Sequence, residues 1–317
     1  VLLSIVVPSY NEQASLPLFW HELSGVLATL ACDSEVIFVD DGSKDATLDE
    51  VKTMAQQDAR IKYVSFSRNF GKEAAIYAGL EAAAGDYVAL MDADLQDPPA
   101  LLPQLLEAVA SGEADVARVR RVSRTNEPPI RSAFARLFYR LINKFGDVEL
   151  VDGARDYQVM NRKVVNAILS LREYNRFFKG ISSWVGYRTR WFAYENVERA
   201  AGETKWSFWS LTKYAIEGIV SFSEAPLALA SFTGVTSFAL AILFIIFIVV
   251  RKLAFGDPVS GWASTVCIIL LIGGLQLLCI GILGQYLSRT FLETKHRPIY
   301  LVNETNIKKL DDKDRVV

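Results

Sequence analysis

Four runs of apolar, β-prone residues in the first ninety positions each stop at a polar or charged segment. Leu2 to Val7 gives way to Pro8-Ser-Tyr10-Asn11-Glu12, and Glu35 to Val39 to Asp40-Asp41-Gly42-Ser43-Lys44-Asp45. Ile61 to Phe66 leads into Ser67-Arg68-Asn69-Phe70-Gly71-Lys72-Glu73, and Tyr87 to Met91 into Asp92-Ala93-Asp94-Leu95-Gln96-Asp97-Pro98-Pro99. Within each run the apolar residues are continuous rather than alternating, which predicts strands buried on both faces. Ala14 to Leu30, Ala46 to Gln57 and a stretch ending at Ala84 read as helices between them, and Leu101 to Ala110 and Ala114 to Val119 add one more helix and strand. Strands alternating with helices predict an α/β domain with a mainly parallel sheet. Such sheets take their ligands beyond the carboxyl ends of the strands, where these polar segments fall.

Two later stretches break the pattern. Ala228 to Val250 and Trp262 to Leu287 carry no charged residue, and Arg251 to Gly261 forms a short polar turn between them. Each exceeds the roughly 20 apolar residues that cross a bilayer core. They account for a hydrophobic content of 51% and a mean hydropathy of +0.21, and they predict a two-helix transmembrane hairpin. Two crossings return the chain to one side, so the N-terminal region and the tail share a compartment. Lys205, Lys213, Arg289, Lys295 and Arg297 flank the hairpin there, against Arg251 and Lys252 in the turn. That bias, with no apolar leader before the first strand, favours a cytoplasmic domain. Cys32, Cys267 and Cys279 offer no disulfide framework.

Charge adds two expectations. The net of -2 gives no argument for a nucleic-acid partner. Ile130 to Phe145 spaces Ile130, Phe134, Leu137, Phe138, Leu141 and Ile142 helically among Arg131, Arg136, Arg140 and Lys144. That reads either as a basic amphipathic helix at a headgroup surface or as an ordinary helix packed on the sheet. Lys205-Trp206-Ser-Phe208-Trp209 has the composition of an interfacial belt ahead of the first crossing.

The chemistry centres on the fourth strand's end. Asp92 and Asp94, one residue apart in a bent segment, can aim two hard oxygen ligands at one Mg²⁺ or Mn²⁺, which would hold phosphate oxygens in turn. A solvated acidic turn has the same composition. No Gly-x-Gly-x-x-Gly opens the first helix and no Gly-Lys-Ser/Thr loop occurs, which disfavours a dinucleotide dehydrogenase or a P-loop NTPase. A diphosphate bound here would rely on metal for much of its neutralisation.

Ser9-Tyr10-Asn11-Glu12, Val39-Asp40-Asp41-Gly42-Ser43, Arg68-Asn69-Phe70-Gly71-Lys72 and Asp92-Ala93-Asp94-Leu95-Gln96-Asp97-Pro98 resemble the family 2 glycosyltransferases with a GT-A fold. More narrowly, the chain resembles polyprenyl-phosphate glycosyltransferases, related to dolichol-phosphate mannose synthase. Asn175 to Gly180, Ser183 to Gly186, Glu217 to Ser223, Gly284 to Arg289 and Arg297 to Tyr300 resemble the bacterial GtrB-type undecaprenyl-phosphate glucosyltransferases. The resemblance implies a GT-A, Rossmann-like, mainly parallel sheet domain over 1–204, with an amphipathic helix near 130–145. An interfacial helix at 205–227, a hairpin at 228–287 (crossings 228–250 and 262–287) and a cytoplasmic tail at 288–317 follow. Asn303 to Val317 reads as polar and without regular structure.

The resemblance also implies roles. Pro8, Tyr10, Glu12 and Asp41 would hold the base and ribose of a uridine nucleotide, with Lys72, Asp92 and Ala93 near the rest of the donor. Asp92, Asp94 and Gln96 would bind Mg²⁺ or Mn²⁺. Asp156 matches the carboxylate of a Gly-Asp-Phe-Arg-Leu-Met pattern near the reaction centre, but Arg155 stands for the glycine and Gln158 for the arginine. With Asp94 it is the expected catalytic residue, as general base or as orienter. Arg121, Arg131, Arg199 and Lys205 are candidates for the acceptor phosphate. The expected reaction is inverting transfer of a sugar, foremost glucose from UDP-glucose, to undecaprenyl phosphate at the cytoplasmic face of a bacterial inner membrane. Mannose, galactose or modified arabinose are alternative sugars, and a homotetramer is implied. Two rivals stand beside it. A processive polysaccharide synthase would carry Gln-x-x-Arg-Trp, but Tyr187 holds the glutamine's place before Arg190-Trp191. A non-catalytic lipid-carrier translocase subunit would not bind nucleotide.

Overall fold

The structure, a computed structural model, describes residues 1–122, 140, 143–144, 148, 151, 153–194, 223, 225–255 and 261–308. Eight strands form one sheet: β1 (Leu2–Ser9), β2 (Asp33–Asp40), β3 (Ile61–Phe66), β4 (Tyr87–Leu90), β5 (Val116–Arg121), β6 (Ala154–Asn161), β7 (Thr189–Tyr194) and β8 (Val302–Thr305). Their order is β7-β5-β6-β4-β1-β2-β3-β8. The pairs β1–β2, β1–β4, β2–β3 and β5–β7 are parallel, whereas β3–β8, β4–β6 and β5–β6 are antiparallel. The sheet is therefore mixed but mainly parallel, as the alternation of strands and helices predicts.

Helices α1 (Leu16–Leu27), α2 (Thr47–Gln57) and α4 (Leu102–Ala110) cover one face, and α3 (Lys72–Ala82), α5 (Arg162–Ser170) and α6 (Phe178–Trp184) the other. Successive strand residues point to opposite faces. Val6, Ile37 and Val39 pack with Ala75, Ile76, Val164 and Ile168, while Ile5, Val7, Val36 and Phe38 pack with Leu16, Phe19, Leu102 and Leu105. Two apolar faces are why these strands read as unbroken apolar runs. On α3, a Cβ at Gly79 would lie 2.2 Å from Val6 Cγ1, so a glycine there lets the helix lie close on β1.

α7 (Ala225–Phe255) and α8 (Trp262–Thr294) are long and apolar enough to cross a membrane. Phe232, Leu271 and Leu277 stay 70%, 72% and 71% exposed along them, an apolar surface that water would disfavour. α8 continues seven residues beyond the uncharged run, through Thr294.

The tail departs from expectation. Val302–Thr305 is a strand, antiparallel to β3 at the sheet's edge. Tyr300 stacks on Phe66 at 4.9 Å and donates to Glu81 Oε2 at 2.7 Å, while Lys52 pairs with Glu304 at 2.7 Å. The strand is short and polar, so nothing local marks it; its pairing partner lies some 240 residues away. Most of the amphipathic stretch at 130–145 and of the interfacial stretch at 205–227 lies outside the described residues.

Candidate active site

β1, β2 and β4 end along one edge, with Ser9 opposite Asp40 and Val6 opposite Leu90. The chain turns back between β1 and β4, the switch point where open α/β sheets form a ligand crevice. β6 runs antiparallel to β4 with Leu90 opposite Gln158. Two residues further in that register, Asp156 enters the crevice across from Asp92. Register alone thus brings together two carboxylates 64 positions apart in sequence.

Lys72, the first residue of α3, joins them. Its Nζ lies 2.7 Å from Asp92 Oδ1 and 2.5 Å from Asp156 Oδ2. Lys179 on α6 approaches Asp156 Oδ1 at 3.9 Å and donates to the Ala154 carbonyl at 3.1 Å. These groups form the floor of an open crevice, surrounded by protein yet partly in reach of solvent. Side-chain exposure is 41% for Lys72, 21% for Asp92 and 17% for Asp156.

Burial works against ionisation of Asp156, but Lys72, Lys179 and Arg155 outweigh it and hold its carboxyl below the usual carboxylate range. Burial also pushes Asp92 up; Lys72 opposes this, and repulsion from Asp156, Asp94 and Asp97 adds to it, leaving the net shift upward. Burial would favour deprotonation of Lys72, yet Asp156 and Asp92 raise its pKa well beyond the ordinary range. Its two carboxylate partners thus favour the charged ammonium.

The acidic loop has its own scaffold. Leu95 adopts φ +58°, a conformation that a branched side chain rarely takes. Asp94, 7% exposed, accepts from the Gln96 amide at 3.1 Å. Asp97 is 1% exposed and takes Arg155 Nε at 2.9 Å and the Tyr194 hydroxyl. Arg155 Nη2 also reaches Gln96 Oε1 at 3.2 Å. Arg155, which departs from the resembled pattern, thereby ties the acidic loop to β6.

The other predicted residues distribute as follows. Pro8 lies in β1, and Tyr10 and Glu12 follow it in a loop where Asn11 has φ +52°. Glu12 Oε2 accepts from Ser15 Oγ at 2.5 Å. Asp41, 3% exposed, accepts from the Phe70 amide at 2.6 Å and the Gly71 amide at 2.9 Å, so it anchors the turn that launches Lys72. Burial pushes its carboxyl up to about 6 despite those two bonds. Ala93 is buried between the two aspartates, at 3% exposure. Arg121 ends β5. Arg131, Arg199 and Lys205 lie outside the described residues. Lys179, Asp97 and Tyr194 carry no predicted role, because only the fold brings α6, the acidic loop and β7 together.

The crevice suits a divalent cation held through oxygen, which could carry an anionic ligand in turn. Asp92 and Asp94 offer the hard donors that Mg²⁺ or Mn²⁺ prefers, and such ions are commonly held by one or two carboxylates with phosphate oxygens completing the shell. Burial and, after it, repulsion from Asp156, Asp94 and Asp97 raise Asp92, and a cation beside it would relieve that repulsion. Gln96 fits less directly, since its Oε1 already accepts from a cation.

A family model described as glycosyl transferase family 2 matches residues 4–169. The chain is 43% identical to CsbB of Bacillus subtilis, a glycosyltransferase by name, over 98% of this chain and 94% of that one. It is 39% identical to the bactoprenol glucosyl transferase of Shigella phage SfV, covering 95% of this chain and 97% of the relative. Among solved structures, a Mycobacterium tuberculosis glucosyl-3-phosphoglycerate synthase with Mn²⁺, UDP-glucose and phosphoglyceric acid is 20% identical. It superposes with a TM-score of 0.48 over 69% of this chain and 77% of that one.

Proposed function

The chain belongs to glycosyl transferase family 2, and from that membership we propose that it transfers glucose from UDP-glucose to undecaprenyl phosphate at the cytoplasmic face of a bacterial membrane. The observation that carries the proposal is the meeting of Asp92, Asp156 and Lys72 at the sheet's switch point, in a domain bonded to the end of an apolar hairpin. Glu293 on α8 accepts from the Tyr174 amide at 2.8 Å, so membrane and crevice are one hydrogen bond and a short segment apart. Relatives named bactoprenol glucosyl transferases match along nearly the whole chain.

In this reading an oxygen of the acceptor phosphate attacks the sugar's anomeric carbon. The bond from that carbon to the β-phosphate oxygen breaks, its electron pair leaves with UDP, and the configuration inverts. A phosphate monoester has a second pKa of about 6, so the nucleophile is largely ionised and no strong base is required. Asp156, held ionised, orients the acceptor. Lys72 and Lys179 supply fixed positive charge where negative charge accumulates. Pro8, Tyr10, Glu12 and Asp41 line the uridine end. Asp92 and Asp94 would hold Mg²⁺ or Mn²⁺, which would offset charge on the departing diphosphate. Arg121, with Arg131, Arg199 and Lys205, would draw the acceptor's phosphate from the lipid surface. Residues 1–204 form the catalytic domain, and the enzyme works as a homo-oligomer.

The test incubates the purified chain with undecaprenyl phosphate and labelled nucleotide sugars, with Mg²⁺, Mn²⁺ or chelator. Label from UDP-glucose entering the organic phase only with metal is the expected result. Transfer from a different donor would correct the sugar, and measurable UDP binding without transfer would overturn the acceptor.

A further inference from the structure

Beside the crevice lies a buried cation that the mechanism above does not use. Arg118 on β5 is 6% exposed, and burial alone lowers its pKa to about 10. Its Nη2 donates to the Ser182 carbonyl and, at 2.7 Å, to Ser182 Oγ; its Nη1 reaches Ser183 Oγ at 3.2 Å. Its Nε is buried without a partner. Among the described residues no carboxylate pairs with it, although removing a guanidinium from water is costly unless it is compensated. A cavity of about 20 Å³ adjoins it, lined by Arg118, Asp156, Lys179 and Trp191; that is room for one water on Nε.

The register explains what the charge is for. Arg118 lies directly opposite Gln158 on β6 and beside Trp191 on β7, and its guanidinium sits 5.7 Å from the Trp191 ring. Directly opposed residues share a face of the sheet. Gln158 Oε1 accepts from Ser182 Oγ at 3.3 Å, the hydroxyl that Arg118 also holds. A guanidinium at position 158, on the same face of the sheet, could therefore reach the same hydroxyl.

We propose that Arg118 is a positioning residue for the crevice, acting through α6 rather than on the ligand itself. It fastens α6 through Ser182 and Ser183, so that Lys179, three residues earlier, stays over Asp156.

The test is a cross-strand swap in the full-length detergent-purified chain, comparing R118Q, Q158R, R118K and R118Q/Q158R. Two readouts are used: amide exchange of the 178–184 peptide, and the kcat and donor KM of lipid-linked transfer. R118Q should speed exchange in α6 and lower kcat, each by about tenfold, with donor KM within about twofold. R118K keeps the charge but loses the fork and should fall between. The double swap should return both readouts to within about threefold of the unaltered protein. Should R118Q fail to fold, recovery of a folded, α6-protected protein by the double swap carries the same weight. Unchanged exchange in R118Q, or a double swap no better than R118Q, would overturn the proposal. The kcat arm rests on the proposed transfer, whereas the exchange arm does not. A protein inert with every donor would sink the transfer reading and leave this inference to be decided by exchange.

Discussion

Replacing Lys72 with methionine keeps most of the side chain's bulk and removes only its charge. The ammonium lies 2.7 Å from Asp92 and 2.5 Å from Asp156. At an effective dielectric of about 20, a unit-charge pair at this range is worth on the order of 5 kcal/mol before desolvation. Lys72 keeps 41% of its side-chain surface, so solvent screening brings each ion pair nearer to about 1–2 kcal/mol. Without the ammonium, Asp92 loses its nearest counter-charge and Asp156 keeps only Lys179 and Arg155; with about 2–3 kcal/mol of that positive charge withdrawn from the transition state, turnover should fall about a hundredfold. Metal affinity should move the other way, because Lys72 competes with any cation for Asp92. Single-turnover transfer of label and a Mn²⁺ titration of UDP binding read the two effects separately. Turnover above half of the original with unchanged Mn²⁺ affinity would refute the reasoning, since Lys72 would then neither counter charge in the reaction nor compete with metal.

Asp94→Ala should abolish transfer by at least about a hundredfold while leaving the fold intact; retained metal-dependent turnover would remove Asp94 from the metal site. Gly42→Ala meets both a φ of +65° and a Cβ that would lie 2.5 Å from the Arg68 carbonyl carbon. It should cost about 1–2 kcal/mol from the backbone term alone and weaken UDP binding by displacing the Arg68–Gly71 turn, as calorimetry would register. Glu73 accepts from the Phe178 amide at 2.7 Å, and burial, with Asp156 nearby, pushes its carboxyl up to about 8 from an ordinary 4.5. The folded state therefore binds the extra proton between those values, and stability on this account falls as pH rises through the window. Glu73→Gln should flatten the pH dependence of thermal unfolding between 4.5 and 8; a slope as steep as before would refute the assignment.

The legible parts of this protein are those whose signal is local. β1 to β4 announce themselves because both faces of each strand are buried, and the loops after β1, β2 and β4 do so because polar residues gather at the carboxyl ends of buried strands, with paired acids after β2 and β4. β6 is harder to see. Its first half, Ala154-Arg155-Asp156, is polar because it enters the crevice, so the strand lacks the apolar run that marks β1. β7 carries Arg190 and Trp191 on a partly exposed edge, and β8 has four residues. Asp156 could be picked out only by resemblance to a pattern. The partnerships of Asp97 with Arg155 and of Arg118 with Gln158 depend on register, which no single segment specifies.

Under the proposed function, β8 also bears on how the crevice would meet its acceptor. A helix leaving a membrane on a free tail would let the catalytic domain tumble above the bilayer. Here α8 ends only eight residues before β8 begins, and both ends of that connection are fastened. Glu293 holds the Tyr174 amide, and Tyr300, Glu304 and Asn306 bind back to Glu81, Lys52 and the Tyr63 amide. Residues 174–178 then run from that anchor to Phe178, whose amide is held by Glu73, the neighbour of Lys72. A chain of hydrogen bonds thus leads from the end of the apolar hairpin to the charged floor of the crevice. For a substrate whose phosphate is tethered to the lipid, such a connection fixes the height and orientation of Lys72 and Asp156 over the surface. That lowers the entropy lost on each encounter. Under the proposed function, Tyr300→Ala should therefore raise KM for the lipid acceptor more than KM for the nucleotide. It removes an aromatic stack and a hydrogen bond to a carboxylate, together roughly 2–4 kcal/mol. Equal effects on both KM values would show that the strap stabilises the domain without aiming it.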